Sequence, residues 1–321
     1  MLPTGSRAGM NQLLRSIRAL TTSTSQIPSE RICIMFFWAA WLERLRGQTP
    51  TDPFYHQPFA VLSHSDRPFW GRPNSAVDWC EENYVHSHHV AEFWNFLSSV
   101  PMVVCGLFGL GCSWRYRLEP RFWLCHLGIL FVGIGSCLFH GTLTWWGQAL
   151  DELPMIYAST AFFYMVVEAD LAQTRRPWLP YAEAAYCAAF TLAYFAFPAF
   201  FLVFVVSYAC AVLLIIHQAH RIYATYVRAD RSAAGRWQHR LFWTAAISYP
   251  AGLLLLWIPE NALCPSFPRL FQYLQLHAWF HLVTGTSPVT FMVFITYHRC
   301  THILKRKATH RFCVLPYVHV S

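Results

Sequence analysis

The chain has 321 residues, of which 55% are hydrophobic and 12% are charged. Soluble domains carry about 25% charged residues, so this composition excludes an ordinary pair of soluble domains and indicates a membrane protein. The formal net charge is +8, but the sequence lacks GxGxxG and GxxxxGK[ST] loops, and we expect neither a nucleotide nor a nucleic-acid partner.

Residues 1–70 differ from the rest of the chain because they are rich in Ser, Thr, Pro and Arg. Residues 7–25 faintly resemble a targeting peptide, although a disordered extension is the favoured interpretation because no cleavage site stands out. The apolar patch 32–41 is too short to cross a ~30 Å hydrocarbon core, which needs about 20 helical residues. We therefore expect a poorly ordered N-terminal extension over residues 1–70.

From residue 92 onward the sequence consists of long apolar segments without an alternating polar face. In lipid every backbone N–H must be satisfied within its own segment, so these segments predict helices. The predicted fold is all-α, a polytopic bundle of seven transmembrane helices over residues 92–297. The predicted spans are residues 92–113, 121–142, 149–168, 179–197, 199–219, 241–260 and 273–297.

Basic residues give the predicted orientation, because short cytoplasmic loops collect Lys and Arg. They gather in every second loop and in the basic tail 298–321, whereas the loops on the other side contain only Arg269. We expect a luminal N-terminus and a cytosolic C-terminus. The basic residues on the expected cytosolic side are Arg115, Arg117, Arg121, Arg175, Arg176, Arg221, Arg228, Arg231, Arg236, Arg240, Arg299, Lys305, Arg306, Lys307 and Arg311.

Polar residues are predicted to meet at the luminal ends of three spans. Ser136 and His140 are four residues apart near the end of the second span, so they share a helix face. Asp151 follows across a short turn at the start of the third span, and His277 and His281 stand one helical turn apart at the start of the seventh. Ionisable groups inside membrane helices are costly and are functional candidates by default.

Three neutral His residues with an open fourth position are typical of catalytic Zn²⁺. Zinc lowers the pKa of a coordinated water toward ~7. Asp151 is then the expected base for attack on a carbonyl, and Ser136 is the expected hydrogen-bond donor to the developing oxyanion. The residues thus predict hydrolysis of an amide or ester that is reached from the membrane.

A second polar cluster precedes the first span, in a segment that we place at residues 71–91. Hard oxygen ligands of the kind that Ca²⁺ prefers are offered by Asp78, Glu81, Glu82, Asn83 and Glu92. The DxDxDG spacing of an EF-hand is missing. From the residues alone, a calcium site and a solvated acidic loop remain open alternatives.

The chain resembles the alkaline ceramidases, and especially their phytoceramidase-type branch, in the order and spacing of several motifs over about residues 70–297. The motifs are VDWCEENY with VAEFWN, VGIGSCLFHGTL, GQALDELPMIY and LQLHAWFHLVTG. The resemblance implies a seven-helix hydrolase of the endoplasmic reticulum and/or Golgi membrane with an alkaline optimum. Such an enzyme splits ceramides, including phytoceramide and dihydroceramide, into sphingoid base and fatty acid.

Carried over by position, the resemblance implies the same zinc centre that the residues predict. It implies zinc ligands at His140, His277 and His281, a water-activating acid at Asp151 and an oxyanion-assisting serine at Ser136.

The resemblance also implies a calcium site of structural and regulatory role and a luminal disulfide between Cys80 and Cys264. The implied calcium ligands are Asp78, the backbone carbonyl of Trp79, Glu81, Asn83 and Glu92.

Three features depart from the family pattern. The family often has Asn, Thr, any residue, Ser and Asn where this chain has Asn95, Phe96, Leu97, Ser98 and Ser99. Glu260 stands in place of an Asp, and the loop from Cys264 to His277 is short, which leaves the acyl-chain preference open.

Two alternative functions remain at this point. One is a seven-helix receptor or scaffold of the same superfamily with a structural zinc, which would need neither Asp151 nor Ser136. The other is a hydrolase that acts on a different lipid, such as a glycerolipid ester.

Overall fold

The computed structural model of the protein describes residues 68–171, 176–197, 200–313 and 315–321. The predicted N-terminal extension lies outside the described residues, apart from residues 68–70.

Nine α-helices form within these ranges, and seven of them have 18 residues or more. They are α1 (Phe93–Arg115), α2 (Pro120–Thr142), α3 (Trp145–Glu168), α4 (Leu179–Ala196), α5 (Phe201–Ile222), α6 (Ala233–Gly252), α7 (Ile258–Leu263), α8 (Pro268–Leu274) and α9 (Leu276–His298). Three π-helical segments follow α5, α6 and α9, at Tyr223–Val227, Leu253–Trp257 and Arg299–Ile303.

Five helical stretches in the described part of the chain are long and apolar enough to cross a membrane, so the protein is a multi-pass membrane protein. Helices α3 and α4 do not reach this level of hydropathy, because α3 carries Asp151 and Glu152 and α4 carries Glu183. The count of seven spans therefore stays a prediction. The five stretches are Phe93–Arg115, Pro120–Thr142, Phe201–Val227, Ala233–Leu263 and Leu276–Ile303.

Capping residues explain where the helix boundaries differ from the predicted spans. The hydroxyl of Thr144 accepts from the N–H of Gly147, and α3 begins at Trp145 instead of 149. The hydroxyl of Ser232 accepts from the N–H of Gly235 in the same way, so α6 begins well before the predicted residue 241. The predicted seventh span is divided at Gln275, whose φ of 51° separates α8 from α9.

Helix α2 packs along both α1 and α3, and α9 packs against α6 and α1. Glycines permit the close approach of α1 and α2. A Cβ added to Gly106 would lie 2.6 Å from Cα of Leu130, and one added to Gly133 would lie 2.7 Å from the backbone nitrogen of Val103. Small residues at such contacts are how membrane helices gain packing contacts between their backbones.

A two-stranded antiparallel hairpin follows α9, with β1 (Ala308–Phe312) paired to β2 (Pro316–Val320). Val318 and Val320 are buried in the largest apolar cluster, together with residues of α2, α3, α5, α6 and α9. The sequence analysis predicted only a basic tail over residues 298–321. The alternation of Val318 and Val320 was too short a pattern to predict a strand.

Arg299 fastens this end of α9 to the turn between α1 and α2. Its side chain is 3% exposed, and its Nε and one terminal nitrogen each donate to Glu119 at 2.8 Å. Charge-assisted bonds of this paired kind are the stronger class of hydrogen bond. Arg299 is therefore a structural residue and not a free surface cation.

Candidate metal centre and active site

His140, His277 and His281 converge at one end of the bundle, where α2 ends and α9 begins. Each is buried, and the three offer ligand atoms that all lie within 4.8 Å of one another. The ring centroids of His277 and His281 are 4.4 Å apart, and that of His140 lies 4.9 Å from that of His281. The predicted histidine group is thus assembled by the fold.

The tautomer of His140 follows from its partner. Its Nδ1 lies 2.5 Å from Oε2 of Glu92 and donates to that carboxylate. Its Nε2 is buried and has no hydrogen-bond partner among the described residues. In a neutral imidazole one nitrogen donates and the other accepts, so Nε2 carries the free lone pair. The sequence analysis assigned Glu92 to calcium and missed this contact.

His281 is oriented by α1. Its Nδ1 lies 3.2 Å from the backbone oxygen of Asn95, 2.9 Å from Oγ of Ser98 and 3.2 Å from Oγ of Ser99. A carbonyl oxygen can only accept, so Nδ1 carries the proton and Nε2 carries the lone pair. Outer partners of this kind fix the ring orientation of metal-binding histidines.

His277 is held by packing and by its backbone. Its ring stacks on the indole of Trp79, with centroids 3.6 Å apart and an interplanar angle of 16°. Glu260 accepts from the N–H of Cys80 at 3.1 Å and also interacts with the backbone of His277. Nδ1 of His277 is buried without a hydrogen-bond partner in the described ranges.

The donor set fits a zinc ion. Nε2 of His140 and Nδ1 of His277 are both buried polar atoms without partners in the described structure, and such atoms call for an explanation, of which an ion is one. Three neutral imidazoles are the ligand set of catalytic zinc sites with one open position.

Asp151 and Ser136 line the same cavity as His277 and His281. Ser136 lies on α2 and is 2% exposed, with its Oγ 2.9 Å from Oγ of Ser99. Asp151 lies on the adjacent helix α3.

Gly135 brings α2 and α3 together at this level. A Cβ at Gly135 would overlap the backbone oxygen of Leu150 and lie 3.0 Å from Cα of Asp151. The absence of a side chain at Gly135 therefore permits the close approach of α2 and α3 at the level of Ser136 and Asp151.

The cavity has a volume of about 220 Å³ and extends away from the histidines between α3, α5, α6 and α9. Its lining on α5 runs from Phe201 to Ala219, which is about 27 Å at ~1.5 Å per residue. Apolar side chains such as Phe162, Ile215 and Phe291 form its far end. The shape suits a long apolar chain whose polar end reaches the histidines.

The sequence model of the ceramidase family matches residues 71–319. Alkaline ceramidase 3 of Mus musculus is 33% identical over 251 residues, which cover 74% of this chain and 89% of the relative. The chain belongs to the alkaline ceramidase family. Alkaline ceramidase of Arabidopsis thaliana is 31% identical over 257 residues, covering 79% of this chain and 95% of the relative. As an alkaline ceramidase the protein is a hydrolase.

In this alkaline ceramidase a second carboxylate, Glu152, lies beside Asp151 in the cavity wall. Its Oε1 accepts from Nε2 of Gln148 at 2.8 Å, and its Oε2 accepts from the hydroxyl of Tyr194 at 2.8 Å. Gln148 in turn accepts from the N–H of Ala76 at 2.6 Å. This network, which the sequence analysis missed, joins α3 to α4 and to the segment before α1.

The segment before α1 brings most of the predicted calcium ligands together. Nδ2 of Asn83 donates to both carboxylate oxygens of Asp78, at 3.1 and 3.2 Å. The N–H of Trp79 donates to Oε1 of Glu92 at 2.9 Å. Oδ1 of Asn83 is buried and has no partner in the part of the chain that the structure describes.

The electrostatics of this cluster also fit a cation. Desolvation, and after it the neighbouring charge of Glu92, raise the pKa of Asp78 to about 8. The carboxyl groups of Asp78 and of the fully buried Glu92 are costly to ionise together unless a positive charge is present. With Oδ1 of Asn83, they form the hard oxygen set that Ca²⁺ prefers.

Glu81 has a role that the sequence analysis did not foresee. Its two carboxylate oxygens accept from the N–H groups of Trp94 at 2.7 Å and Asn95 at 3.0 Å, in the first turn of α1. These N–H groups have no partner within the helix, so Glu81 caps α1 from a distance. Burial raises the pKa of Glu81 to about 7 despite these bonds.

Cys80 and Cys264 are joined by a disulfide with a Cα–Cα distance of 5.9 Å, the pair that the resemblance implies. The bond links the segment before α1 to the end of α7. The same segment is also held to α2, because the N–H groups of Ala91 and Glu92 donate to the backbone oxygens of Gly141 and His140.

Sequence signals existed for some of the missed residues. Asn95, Ser98 and Ser99 are polar residues in an apolar span, spaced three and four apart, and therefore share one helix face. Their spacing could have predicted a polar contact, although not that its partner is His281. Glu260 was noted only as a departure from the family pattern.

Proposed function

We propose that the protein is a zinc-dependent, calcium-stimulated intramembrane amidase that hydrolyses the N-acyl amide of ceramides, including phytoceramide and dihydroceramide. The products would be a sphingoid base and a free fatty acid. The observation that carries this proposal is the convergence of three buried histidines at the polar end of a long apolar cavity. The printed names of the relatives support the substrate class.

The ring nitrogens of His140, His277 and His281 would hold the zinc. When bound, zinc supplies Lewis-acid activation of a water molecule. Glu92 keeps the proton on Nδ1 of His140, and the carbonyl of Asn95 does the same for Nδ1 of His281. These contacts fix the tautomer of both rings and turn their Nε2 atoms toward the centre.

Asp151 is the proposed general base. Its carboxylate accepts a proton from the attacking water as the water oxygen bonds to the amide carbon. The C–N bond then breaks, and the proton passes from Asp151 to the nitrogen of the leaving sphingoid base.

Ser136 is the proposed oxyanion donor. Its hydroxyl lies in the same cavity wall and can donate to the carbonyl oxygen as negative charge develops there. The apolar lining excludes water from the acyl chain.

Calcium is proposed to bind Asp78, the carbonyl of Trp79, Glu81, Asn83 and Glu92. Glu92 reaches both the calcium cluster and His140, at 2.5 Å from Nδ1. A cation there would fix the Glu92 carboxylate and hence the orientation of His140. This link is the proposed basis of calcium stimulation. An alkaline optimum is expected from the family.

We propose seven membrane spans over residues 92–297, with residues 71–91 in the lumen and a cytosolic segment over 298–321. The two long helices α3 and α4 lie in the same bundle as the five apolar ones, which supports the higher count. A disulfide suits the oxidising lumen, and basic residues at the opposite end suit the cytosol. The endoplasmic reticulum and/or Golgi membrane is the proposed location.

The test is release of free sphingoid base from a panel of ceramides by membranes that contain the wild type or Asp151→Asn, with and without a calcium chelator. Glu183→Gln on α4, a carboxylate outside the cavity, is the matched control. We expect release by the wild type and the control, a lower rate with chelator, and none by Asp151→Asn.

Two results would contradict the proposal. A wild type that binds stoichiometric zinc but releases no sphingoid base would favour the receptor or scaffold. Release of fatty acid from glycerolipid esters in place of ceramides would favour the other hydrolase.

A further inference from the structure

Ser99 is a fully buried residue of α1 that the proposed mechanism does not use. Its Oγ lies 2.8 Å from the backbone oxygen of Asn95, 2.9 Å from Oγ of Ser136 and 3.2 Å from Nδ1 of His281. It therefore touches both the proposed oxyanion donor and a proposed zinc ligand.

The hydroxyl of Ser99 has one proton and two acceptors within reach. If the proton points to the carbonyl of Asn95, Ser136 has to donate its own proton to Ser99 to keep their 2.9 Å contact. If the proton points to Ser136, the Ser136 proton is free to point into the cavity. A hydroxyl rotates readily between such positions.

The carbonyl of Asn95 can release the Ser99 proton at little cost. Ser98 donates to the same oxygen at 3.0 Å, and Nδ1 of His281 lies 3.2 Å from it. The carbonyl thus keeps hydrogen-bond donors when Ser99 turns away.

We propose that Ser99 is a positioning residue that aims the Ser136 hydroxyl at the oxyanion. This inference rests on the proposed function of Ser136 and extends it. In the resting site Ser136 donates to Ser99. As charge develops on the substrate oxygen, the Ser99 proton turns from Asn95 to Ser136, and the Ser136 proton turns to the substrate.

The result is a chain of donors from Ser99 through Ser136 to the substrate oxygen. Hydrogen bonds in such a chain polarise and strengthen one another. The hydrogen bond from Ser136 to the substrate oxygen forms fully only in the transition state. Loss of this bond therefore lowers kcat and leaves KM unchanged.

Ser98 provides a matched control. Its hydroxyl contacts Asn95 at 3.0 Å and His281 at 2.9 Å, so it shares the histidine contact of Ser99 but not the contact with Ser136. If Ser99 acted through His281 alone, Ser99→Ala and Ser98→Ala would have the same effect on kcat. If Ser99 acts through Ser136, the two effects differ.

The experiment is a double-mutant cycle on the purified, zinc-loaded protein with a fluorescent ceramide. Ser99→Ala, Ser136→Ala, the double variant and Ser98→Ala are compared for kcat, KM, zinc content and melting temperature. We expect Ser99→Ala to lower kcat about tenfold, less than the 10²–10³-fold that follows loss of a direct oxyanion donor. Its zinc content and KM should match the wild type, and Ser99→Thr, which keeps the hydroxyl, should restore most of kcat.

The decisive result is the double variant, which should be no slower than Ser136→Ala. Three results would each overturn the inference. They are a double variant whose loss of kcat is the product of the two single losses, an unchanged kcat for Ser99→Ala, and loss of zinc from Ser99→Ala but not from Ser98→Ala. If Ser99→Ala does not fold, the near-isosteric Ser99→Cys, a weak donor, takes its place in the cycle. A wild type without ceramidase activity would instead refute the proposed function.

Discussion

Gly135→Ala tests the proposed pairing of Ser136 with Asp151 without altering either side chain. The added Cβ would overlap the backbone oxygen of Leu150 and lie 3.0 Å from Cα of Asp151. Both obstacles are backbone atoms of α3, so no side-chain rotation relieves the overlap. The two helices have to separate at the level of the site.

The magnitude follows from the contact distances. Carbon atoms in contact prefer a separation of about 3.5–4.0 Å, so α3 has to move by about 1 Å. Overpacking of this kind costs about 1–3 kcal/mol of folding free energy, and a misplacement of about 1 Å can reduce turnover by about 10²-fold. Zinc should remain bound, because its proposed ligands lie on α2 and α9 and not on α3.

The assay compares ceramide turnover, zinc content and melting temperature in detergent for Gly135→Ala and Gly111→Ala. Gly111 is the matched control, because a Cβ added there meets nothing within 4 Å. We expect the control to keep full activity and Gly135→Ala to lose most of it while it retains zinc. Full turnover by a folded Gly135→Ala protein would refute the argument that the α2–α3 separation sets the geometry of catalysis.

Three further predictions concern the metal centre, the disulfide and the hairpin. His140→Ala should lose zinc and turnover together, whereas His126→Ala on the same helix should keep zinc, as elemental analysis of purified protein can check. Cys80→Ser should cost about 2–5 kcal/mol of stability because the disulfide closes a long loop; a melting temperature equal to that of the control Cys210→Ser would contradict this. Burial lowers the pKa of His310 from 6.5 to about 4, so the unfolded hairpin binds more protons in that range and its stability should fall as pH drops from about 6.5 to 4. The protection factors of β1 and β2 against hydrogen exchange, corrected for the intrinsic pH dependence of amide exchange, should fall on acidification in the wild type but not in His310→Phe.

The local features of the bundle were predictable because they depend on local patterns. The predicted span 121–142 differs from α2 by one residue at its start, and 179–197 nearly coincides with α4. Each depends on apolar length and on flanking polar residues, which a sequence displays directly. The i,i+4 spacing of His277 and His281 predicted a shared face for the same reason.

The sequence by itself therefore determined a multi-pass helical protein with histidines grouped near one end, since composition, segment length and helical spacing are properties of neighbouring residues. Only the tertiary structure decided that Glu92 orients His140 and that Ser98 and Ser99 face His281, contacts that join residues 48, 183 and 182 positions apart. Such contacts depend on the rotation of each helix about its axis, and one residue changes that rotation by about 100°. The pairing of β1 with β2 was decided in the same way, because these short strands become stable only when Val318 and Val320 are buried against the helices.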